Sequence, residues 1–229
     1  MKTIGLIGGM SWQSSAQYYR SINEEMACRL GGHHNARSVM VTVDFAEVER
    51  RQHAGEWDEL AALLAGAAQE VEAAGADVIV LCTNTMHKLA DAITSAVRIP
   101  LLHIADETAH AIRRAGQKRV GLLGTRFTME DGFYADRVRR FGIDVVVPCA
   151  ASREVVHGII YDELCHGVIR SESRERYQEI IAGFTAEGAE AVILGCTEIG
   201  LLISEEDSRL PVHDSTVIHA RAAVDFAIS

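Results

Sequence analysis

The sequence contains no run of about 18 apolar residues, the length that a membrane-spanning helix needs. An apolar strand is predicted directly at Thr3–Ile7, so no basic segment precedes it and we expect no signal peptide. The 22 lysine and arginine residues are dispersed and the net charge is −10, whereas nucleic acids bind to clustered basic side chains. These absences argue against a membrane protein and against a nucleic acid-binding protein.

The cysteine and histidine residues form no recognisable framework. The chain has five cysteines, an odd number, and at 229 residues it is long enough to fold without disulfide bonds. The spacings H-E-x-x-H and C-x-x-C are absent although there are ten histidines, so we expect no metal site. The odd number of cysteines in a chain of this length favours a cytoplasmic protein with reduced thiols. Separately, the apolar fraction of 48% indicates a substantial core.

Two stretches of the chain resemble each other in sequence. The first covers residues 73–85 and the second covers residues 186–198. Each begins as the Gly-Ala exit of a helix, continues as a short apolar strand, and ends in Cys and Thr residues. Ligands of parallel α/β proteins bind beyond the carboxyl ends of the strands. The sequence therefore predicts two matching half-sites, which address two sides of one small molecule if they face each other.

The same resemblance extends to other parts of the two halves. Residues 2–10 resemble residues 118–125, since each is a strand that enters a glycine-containing turn. Residues 99–103 resemble residues 210–213, each with a proline before a short strand. Three matched segments in the same order indicate an internal repeat.

Strands alternate with helices in both halves, which favours right-handed βαβ units and parallel sheets. We therefore predict an α/β protein of two pseudosymmetric subdomains, each a short parallel sheet flanked by helices. The predicted subdomains are residues 1–112 and 113–220. A C-terminal helix that includes residues 221–229 is expected to pack on the first half.

Hydrophobic periodicity places the helices and strands. Apolar residues at spacings of three and four predict a helix from about Ser14 to Leu30, which ends at Gly31-Gly32. A second helix is predicted at Glu56–Ala74, and a loop that contains Gln52 precedes it. The strands predicted after the first are Val39–Val43, Val78–Leu81, Leu101–Ile104, Val120–Leu123, Asp144–Val147, Val192–Leu194 and Val212–His213.

Cys196 is the first candidate for chemistry. It follows an apolar strand and a glycine, and it precedes Thr197-Glu198. A buried cysteine is commonly a small hydrophobic residue. This cysteine, however, lies where the chain leaves the sheet, and backbone N–H groups and a helix start there favour the reactive thiolate. Its counterpart in the repeat strengthens the functional interpretation.

Thr83-Asn84-Thr85 occupies the matching place in the first half. These residue types cap helix starts, and their hydroxyl and N–H groups also suit a bound carboxylate. Because side chains alternate along a strand, we expect Cys82 to point into the core and Thr83 to face the cleft. The remaining cysteines, Cys28, Cys149 and Cys165, lack such a context and are predicted to be structural.

A glycine-rich turn, Gly8-Gly9-Met10-Ser11, follows the first strand. It matches neither the dinucleotide-binding pattern G-x-G-x-x-G nor the lysine-containing phosphate loop. Two interpretations stay open at this point: the glycines form a tight strand-to-helix turn, or they face a ligand.

Two strings at the strand ends resemble the two signatures of the aspartate/glutamate racemase family. They are C-T-N-T-M-H-K at residues 82–88 and G-C-T-E-I-G at residues 195–200. The resemblance covers nearly the whole chain, and the match is strongest with the enterobacterial-type amino-acid racemases. It implies a racemase without a cofactor, an active site in the cleft between two α/β domains, and a homodimer that acts on a small amino acid.

The resemblance also implies a mechanism with two cysteines on opposite faces of Cα. One thiolate removes the α-proton, and the other thiol delivers a proton from the far side. The chain departs from this pattern, because Thr83 holds the place of the first cysteine and Cys82 lies one residue earlier. A hydroxyl is a weaker acid than a thiol, so we expect the two directions to be unequal or one face to use a relayed water.

We therefore assign catalysis to Cys196 and Thr83. Hydroxyl, amide and backbone N–H donors at strand ends match a carboxylate. The predicted substrate-binding residues are Met10, Gln52, Asn84, Thr85, Thr197 and Glu198. The basic residues that are candidates to hold a second carboxylate are Arg50, Arg51, Lys88 and Arg126.

Three functions remain in competition. The first is an amino-acid racemase that interconverts the L and D forms of aspartate or glutamate. The second is a decarboxylase, or another carbanion-forming enzyme with one essential thiol, as in the related arylmalonate decarboxylases. The third is a small-molecule binding protein without catalysis, which would have no need of a thiol at the position of Cys196.

Overall fold

A computed structural model describes residues 1–229, which divide into two compact units. Unit 1 comprises Met1–His103 and His219–Ser229, and unit 2 comprises Ile104–Ile218. Each unit contains a four-stranded, fully parallel sheet with helices packed on its faces. The predicted α/β class with parallel sheets is therefore confirmed. None of the helices combines the length and the apolar character that a membrane crossing requires.

The sheet of unit 1 has the strand order β2-β1-β3-β4. Its strands are β1 (Ile4–Gly8), β2 (Ser38–Thr42), β3 (Val78–Leu81) and β4 (Leu101–Leu102). The helices between them are α1 (Trp12–Leu30), α2 (Phe45–Ala54), α3 (Trp57–Ala73) and α4 (Ala90–Ala96). The central strands β1 and β3 are buried along their whole length, which explains why they read as continuous apolar runs.

The sheet of unit 2 has the corresponding order β6-β5-β7-β8. Its strands are β5 (Arg119–Gly124), β6 (Asp144–Val146), β7 (Ala191–Gly195) and β8 (Val212–Asp214). The helices are α5 (Ile104–Arg114), α6 (Arg126–Glu130), α7 (Phe133–Arg139), α8 (Ala150–Asp162), α9 (Ser171–Ala186) and α10 (Ile199–Leu202). The last helix, α11 (Ser215–Ile228), begins in unit 2, and its residues from His219 onward belong to unit 1.

Each sheet separates two apolar clusters, one on each face. In unit 1, one cluster joins α1 and α11 to the sheet, with Tyr18 and Val224 among its members. The other joins α3 to the opposite face through Leu60 and Leu64. Unit 2 has the same arrangement, with α8 and α9 on one face and α5 and α7 on the other. Helices on both faces are the usual cover of a parallel sheet.

The division between the units lies after His103, whereas the sequence placed it after residue 112. The intervening residues form α5, and its apolar face packs in the same cluster as strand β5. Ile104 and Ile112 share this cluster with Val120 and Tyr134 of unit 2. Helix α5 follows the last strand of the first sheet in sequence but buries its apolar face in the second unit, which a sequence repeat does not reveal.

The segment after β2 forms helix α2 rather than the expected loop. Asp44 caps its start by accepting from the backbone N–H of Ala46, and Gly55 ends it in a left-handed conformation. Of its residues, Val48 and Gln52, one turn apart, are buried. Because most residues around Gln52 are polar, the sequence lacks the apolar periodicity that would predict this helix.

Gly121 in β5 provides a test of the packing between sheet and helix in unit 2. A Cβ atom added there would collide with the ring of Phe184 on α9, which is fully enclosed. We expect Gly121→Ala to lower the free energy of unfolding by about 1–3 kcal/mol in urea denaturation, because overpacking forces the ring to move. The control is Gly183→Ala, one residue before Phe184, where a Cβ meets nothing and should stabilise the helix by about 0.5–1 kcal/mol. Equal effects of the two changes would contradict this account.

Candidate active site

In each sheet the predicted catalytic residue follows a central strand. The strand order β2-β1-β3-β4 reverses between β1 and β3, and the order β6-β5-β7-β8 reverses between β5 and β7. Ligands of open parallel sheets bind at such reversals, beyond the carboxyl ends of the strands. Thr83 comes two residues after β3, and Cys196 comes directly after β7. Both therefore lie at the place in their own unit where a site is expected.

The turn after β1 is built around its glycines and serines. Gly9 has a φ of +91°, and a Cβ there would collide with the backbone of Val43. The N–H of Gly9 donates to Ser15 Oγ at 2.7 Å, and the Ser15 hydroxyl donates to the carbonyl of Ser11 at 3.0 Å. These contacts give the glycine-rich segment a local structural purpose, a tight turn into α1. Met10, at the tip of the turn, is buried in the apolar cluster of α3.

Cys82 is a core residue. Its side chain has no solvent exposure and lies in the cluster that contains Tyr18 and Ile22 of α1. Burial raises the pKa of the Cys82 thiol far above its ordinary value, so the thiol stays protonated and unreactive. The carbonyl of Cys82 accepts a hydrogen bond of 2.7 Å from the Ser14 hydroxyl, which ties the end of β3 to the start of α1.

Thr83, Asn84 and Thr85 form a buried turn beyond β3. The N–H of Thr83 donates to the carbonyl of Leu81 at 2.8 Å. A short 3₁₀ helix, Thr85–Leu89, follows directly. His87 closes the turn twice, since its N–H donates to the Asn84 carbonyl at 3.1 Å and its Nδ1–H donates to the Thr83 carbonyl at 2.7 Å. The three polar residues are thereby held on a defined backbone.

Gln52 reaches the same region from α2. Its side chain is buried, and its Nε2 donates to the sulfur of Met86 at 3.0 Å, directly after Thr85. Met10 and Met86 belong to one apolar cluster. Within unit 1 the structure thus brings Met10 and Gln52 to the segment that follows β3, although Gln52 comes from a helix and not from a loop.

In unit 2 the two central strands, β5 and β7, each end in a glycine, and the glycine of β7 directly precedes Cys196. Gly124 of β5 and Gly195 of β7 are register partners, and a Cβ on Gly195 would lie 2.7 Å from the carbonyl oxygen of Leu123. Thr125 then caps α6 by accepting from the N–H of Thr128 at 3.2 Å. Small residues are required here because the backbones of β5 and β7 approach closely as they end.

Cys196, Thr197 and Glu198 form one buried cluster. The Cys196 thiol donates to Glu198 Oε2 at 3.0 Å, and the Thr197 hydroxyl donates to the same oxygen at 2.6 Å. One carboxylate oxygen therefore accepts from both neighbours. Cys196 keeps an exposed fraction of 8%, in contrast to the fully enclosed Cys82.

The pKa of the Cys196 thiol is shifted in the direction opposite to the one that the sequence predicts. Burial, the negative charge of Glu198 and the hydrogen bond to it raise the pKa of the Cys196 thiol well above its ordinary value. The sequence pattern predicts that backbone donors favour a thiolate at this position. A carboxylate beside the sulfur has the opposite effect, so the resting side chain is a protonated thiol. It can release a proton, and it becomes a base only if that proton is moved to another group.

The basic candidates for a second carboxylate all have partners. Arg50 pairs with Glu56 at 3.2 Å, Arg51 with Glu47 at 2.6 Å and Arg126 with Glu154 at 3.7 Å, while the Lys88 ammonium lies 3.9 Å from the ring centre of Trp57. Arg126 directly follows Thr125 at the end of β5, and Lys88 lies in the 3₁₀ helix after β3. These two are at strand ends, whereas Arg50 and Arg51 are on α2.

Sequence reasoning missed the side chains that support the two clusters. Ser14 and Ser15 hold the turn of unit 1, and Ser215 at the start of α11 donates to the Leu194 carbonyl of β7 at 2.7 Å. His87 supports Thr83. Serines directly after a glycine turn are a signal for helix capping, and His87 lies inside the family string.

The structure contains no group of three or more His, Cys, Asp or Glu side chains that could hold a metal ion.

Comparison with known proteins agrees with this architecture. The crystal structure of a candidate Asp/Glu racemase from Yersinia pestis is 50% identical, covers 100% of both chains and superposes with a TM-score of 0.93. The structure of an aspartate racemase homologue from Pyrococcus horikoshii OT3 is 33% identical, also over 100% of both chains, with a TM-score of 0.88.

The sequence comparisons point to the same group of proteins. The broad-specificity amino-acid racemase RacX of Bacillus subtilis is 24% identical over 174 residues, which cover 73% of this chain and 72% of RacX. The sequence profile described as Asp/Glu/Hydantoin racemase matches residues 7–223. With two matching sheets, a strand-end thiol in one of them and this profile along nearly its whole length, the chain belongs to the Asp/Glu/hydantoin racemase family of isomerases.

Proposed function

We propose that the protein is an amino-acid racemase that interconverts the L and D forms of aspartate or glutamate without a cofactor. The observation that carries the proposal is the equivalent placement of Thr83 and Cys196 beyond corresponding strands, β3 and β7, of two sheets with the same topology. Racemisation needs one group on each face of Cα, and the proposal assigns one group to each half of the duplicated fold. The names of its relatives, an aspartate racemase homologue among them, support the same substrate class.

Cys196 acts on one face as a thiol. In one direction its S–H gives a proton to the carbanion, and the sulfur keeps the electron pair of the S–H bond as a thiolate. In the other direction the thiol first passes its proton to Glu198, 3.0 Å away, and the thiolate then removes the α-proton. The C–H electron pair stays on the substrate, delocalised into its carboxylate.

Thr83 acts on the other face. When Cys196 is the base, the Thr83 hydroxyl or a water that it holds gives a proton to the carbanion, and the oxygen regains a proton from solvent. In the reverse direction a hydroxide ion from solvent, held by the Thr83 hydroxyl, removes the α-proton and leaves as water. The two enantiomers have equal free energy, so kcat/KM must be the same in both directions. The difference between a hydroxyl and a thiol therefore emerges in kcat and KM taken separately.

The substrate α-carboxylate is bound by Asn84, Thr85 and Thr197 in this proposal. Amide, hydroxyl and backbone N–H donors stabilise the negative charge that develops on the carboxylate as the α-proton leaves. Glu198 is better suited to act beside the thiol than to bind substrate, because its carboxylate would repel that of the substrate and is engaged by Cys196 and Thr197. Arg126 and Lys88, at strand ends, are the candidates for the second carboxylate.

A direct test is incubation with L-aspartate, L-glutamate and other amino acids in D₂O without added cofactor, followed by NMR and chiral chromatography. We expect deuterium at Cα together with the D enantiomer. Cys196→Ala should abolish both, since it removes the proton donor of one face. Cys149→Ala is the control, because Cys149 is an exposed cysteine of the same unit and should keep full activity.

The same experiment separates the competing functions. Release of CO₂ from a substituted malonate, with no racemisation of any amino acid, would favour the decarboxylase, which needs only the single thiol of Cys196. Binding of an amino acid without any deuterium incorporation would favour a non-catalytic binding protein. Either result would refute the racemase.

Thr83 and Cys82 offer a matched pair of substitutions. Thr83→Ala should lower kcat about 100-fold, the usual minimum contribution of an acid–base group, with little loss of stability. Cys82→Ala should leave kcat near its original value but lower the free energy of unfolding by about 1–2 kcal/mol, because it opens a cavity in the core. The reverse pattern would assign the chemistry to Cys82. Thr83→Cys should make kcat for the L and D substrates more alike.

Glu198→Gln tests the proton partner of the thiol. Removing the negative charge should lower the pKa of Cys196, so its alkylation by iodoacetamide should begin at a lower pH, while racemase turnover falls. Peptide mapping by mass spectrometry follows Cys196 separately from the other cysteines. Glu187→Gln, at an exposed carboxylate just after α9, is the control and should change neither property. A higher pH for alkylation in Glu198→Gln would contradict the assignment.

A further inference from the structure

Three histidines and a tyrosine lie together inside unit 1, next to the end of β3. They are His87, His103, His219 and Tyr18, and all four side chains are buried. The ring centre of His87 is 4.6 Å from that of His103 and 5.7 Å from that of His219. The rings of His219 and Tyr18 meet edge to face at 5.6 Å. These residues come from four separate segments of the chain, so the cluster joins parts that are distant in sequence.

The hydrogen bonds of His219 define its protonation. Its Nε2–H donates to the carbonyl of Leu102 at 2.9 Å, and its Nδ1 accepts from the Tyr18 hydroxyl at 2.9 Å. Burial, with the neighbouring His87 as a second cause, lowers the pKa of His219 to about 3. The ring is therefore neutral at physiological pH and present as one tautomer. It links helix α11 to the end of β4 and to α1.

His87 connects this cluster to the predicted catalytic residue. Its Nδ1–H donates to the backbone carbonyl of Thr83 at 2.7 Å in a buried setting. The N–H of the same residue, Thr83, is bound to the Leu81 carbonyl. Both polar backbone groups of Thr83 are thus satisfied, and the position of its Cα is determined from two sides. Loss of the imidazole donor would leave a buried carbonyl without this partner, which costs free energy and loosens the turn.

We infer that His87 is a positioning residue for Thr83 and that the packing of His103 and His219 holds the His87 ring in place. This inference rests on the proposed function. A catalytic group that is displaced by about 1 Å can lose on the order of 100-fold in rate, so a fixed backbone at Thr83 has direct value for the chemistry. The C-terminal helix α11 becomes part of the support of this half-site through His219.

Two amide substitutions test the inference because they differ only in where the donor lies. His87→Asn places its amide N–H near the original Nδ1, whereas His87→Gln places it near Nε2 and away from the Thr83 carbonyl. We expect His87→Gln to lower kcat about 100-fold with a small change in KM, and His87→Asn to recover most of that loss. His34→Gln, at an exposed histidine, is the control and should change nothing.

A second measurement separates positioning from a general loss of structure. If Thr83 is displaced, proton transfer on its face becomes slower relative to the other steps. The primary deuterium isotope effect of α-deuterated substrate should then rise for one enantiomer and not for the other in His87→Gln. Equal rises for both enantiomers, or equal turnover of the Asn and Gln variants, would overturn the inference.

The NMR signals of ¹⁵N-labelled histidine provide a readout that needs no substrate. We expect His87 to carry its proton on Nδ1 in the unmodified protein, and a signal for the Nε2–H tautomer would overturn the inference. Absence of racemisation by the unmodified protein, with the Nδ1–H tautomer in place, would refute the proposed function and leave His87 as a support of the turn only. The two failures are therefore distinguishable.

Discussion

The parallel pairing of β1 with β3, and of β5 with β7, is the constraint on which the rest of the structure depends. Leu81 is in register with Ile7, and Gly195 with Gly124, so the two central strands of each sheet end side by side. Beyond that level the chain must leave the sheet, and its connections run to opposite sides of the reversal in strand order. In each unit the buried polar side chains that follow the central strand, β3 or β7, lie at this reversal. In unit 2 glycines are needed at these ends because a Cβ on Gly124 or Gly195 would collide with the backbone of the other strand.

The two units are alike in topology and unlike in chemistry. In unit 1 Cys82 directly follows β3 and its side chain lies in the core, and Thr83 comes next. In unit 2 a glycine takes the place before the sulfur, and Cys196 lies beside Glu198. A shift of one residue moves a side chain to the other face of a strand, so a small difference in sequence suffices to enclose one thiol in the core and to place the other beside a carboxylate.

Side chains satisfy the backbone where the strands stop. The Ser14 hydroxyl binds the carbonyl of Cys82, the Ser215 hydroxyl binds that of Leu194, and the His87 imidazole binds that of Thr83. An irregular, buried backbone is stable only if its polar groups are paired, because an unpaired buried carbonyl costs about 1–3 kcal/mol. These bonds allow the polar turns after β3 and β7 to be both buried and ordered. The same requirement explains why polar residues accumulate in an otherwise apolar region.

Much of the fold and part of the site follow from the sequence, because their causes are local. Apolar runs, glycine turns and the repeat predict the parallel sheets, and the strand Val78–Leu81 has the predicted bounds. The placement of Thr83 and Cys196 after central strands follows from the same patterns. Helix α2 was not predicted because its buried face includes the polar Gln52. The boundary after His103 was not predicted because α5 buries its apolar face in unit 2 and not against the sheet that precedes it.

The sequence by itself determined which residues stand at the strand ends, and only the tertiary structure decided their chemical state. The raised pKa of Cys196 depends on its burial and on how the Glu198 carboxylate turns toward the sulfur. The neutral state of His219 depends on its burial and on the neighbouring His87, 132 residues away along the chain. Protonation reflects desolvation and neighbouring charges, which arise only when distant segments pack together. Residue order and periodicity carry no record of those contacts.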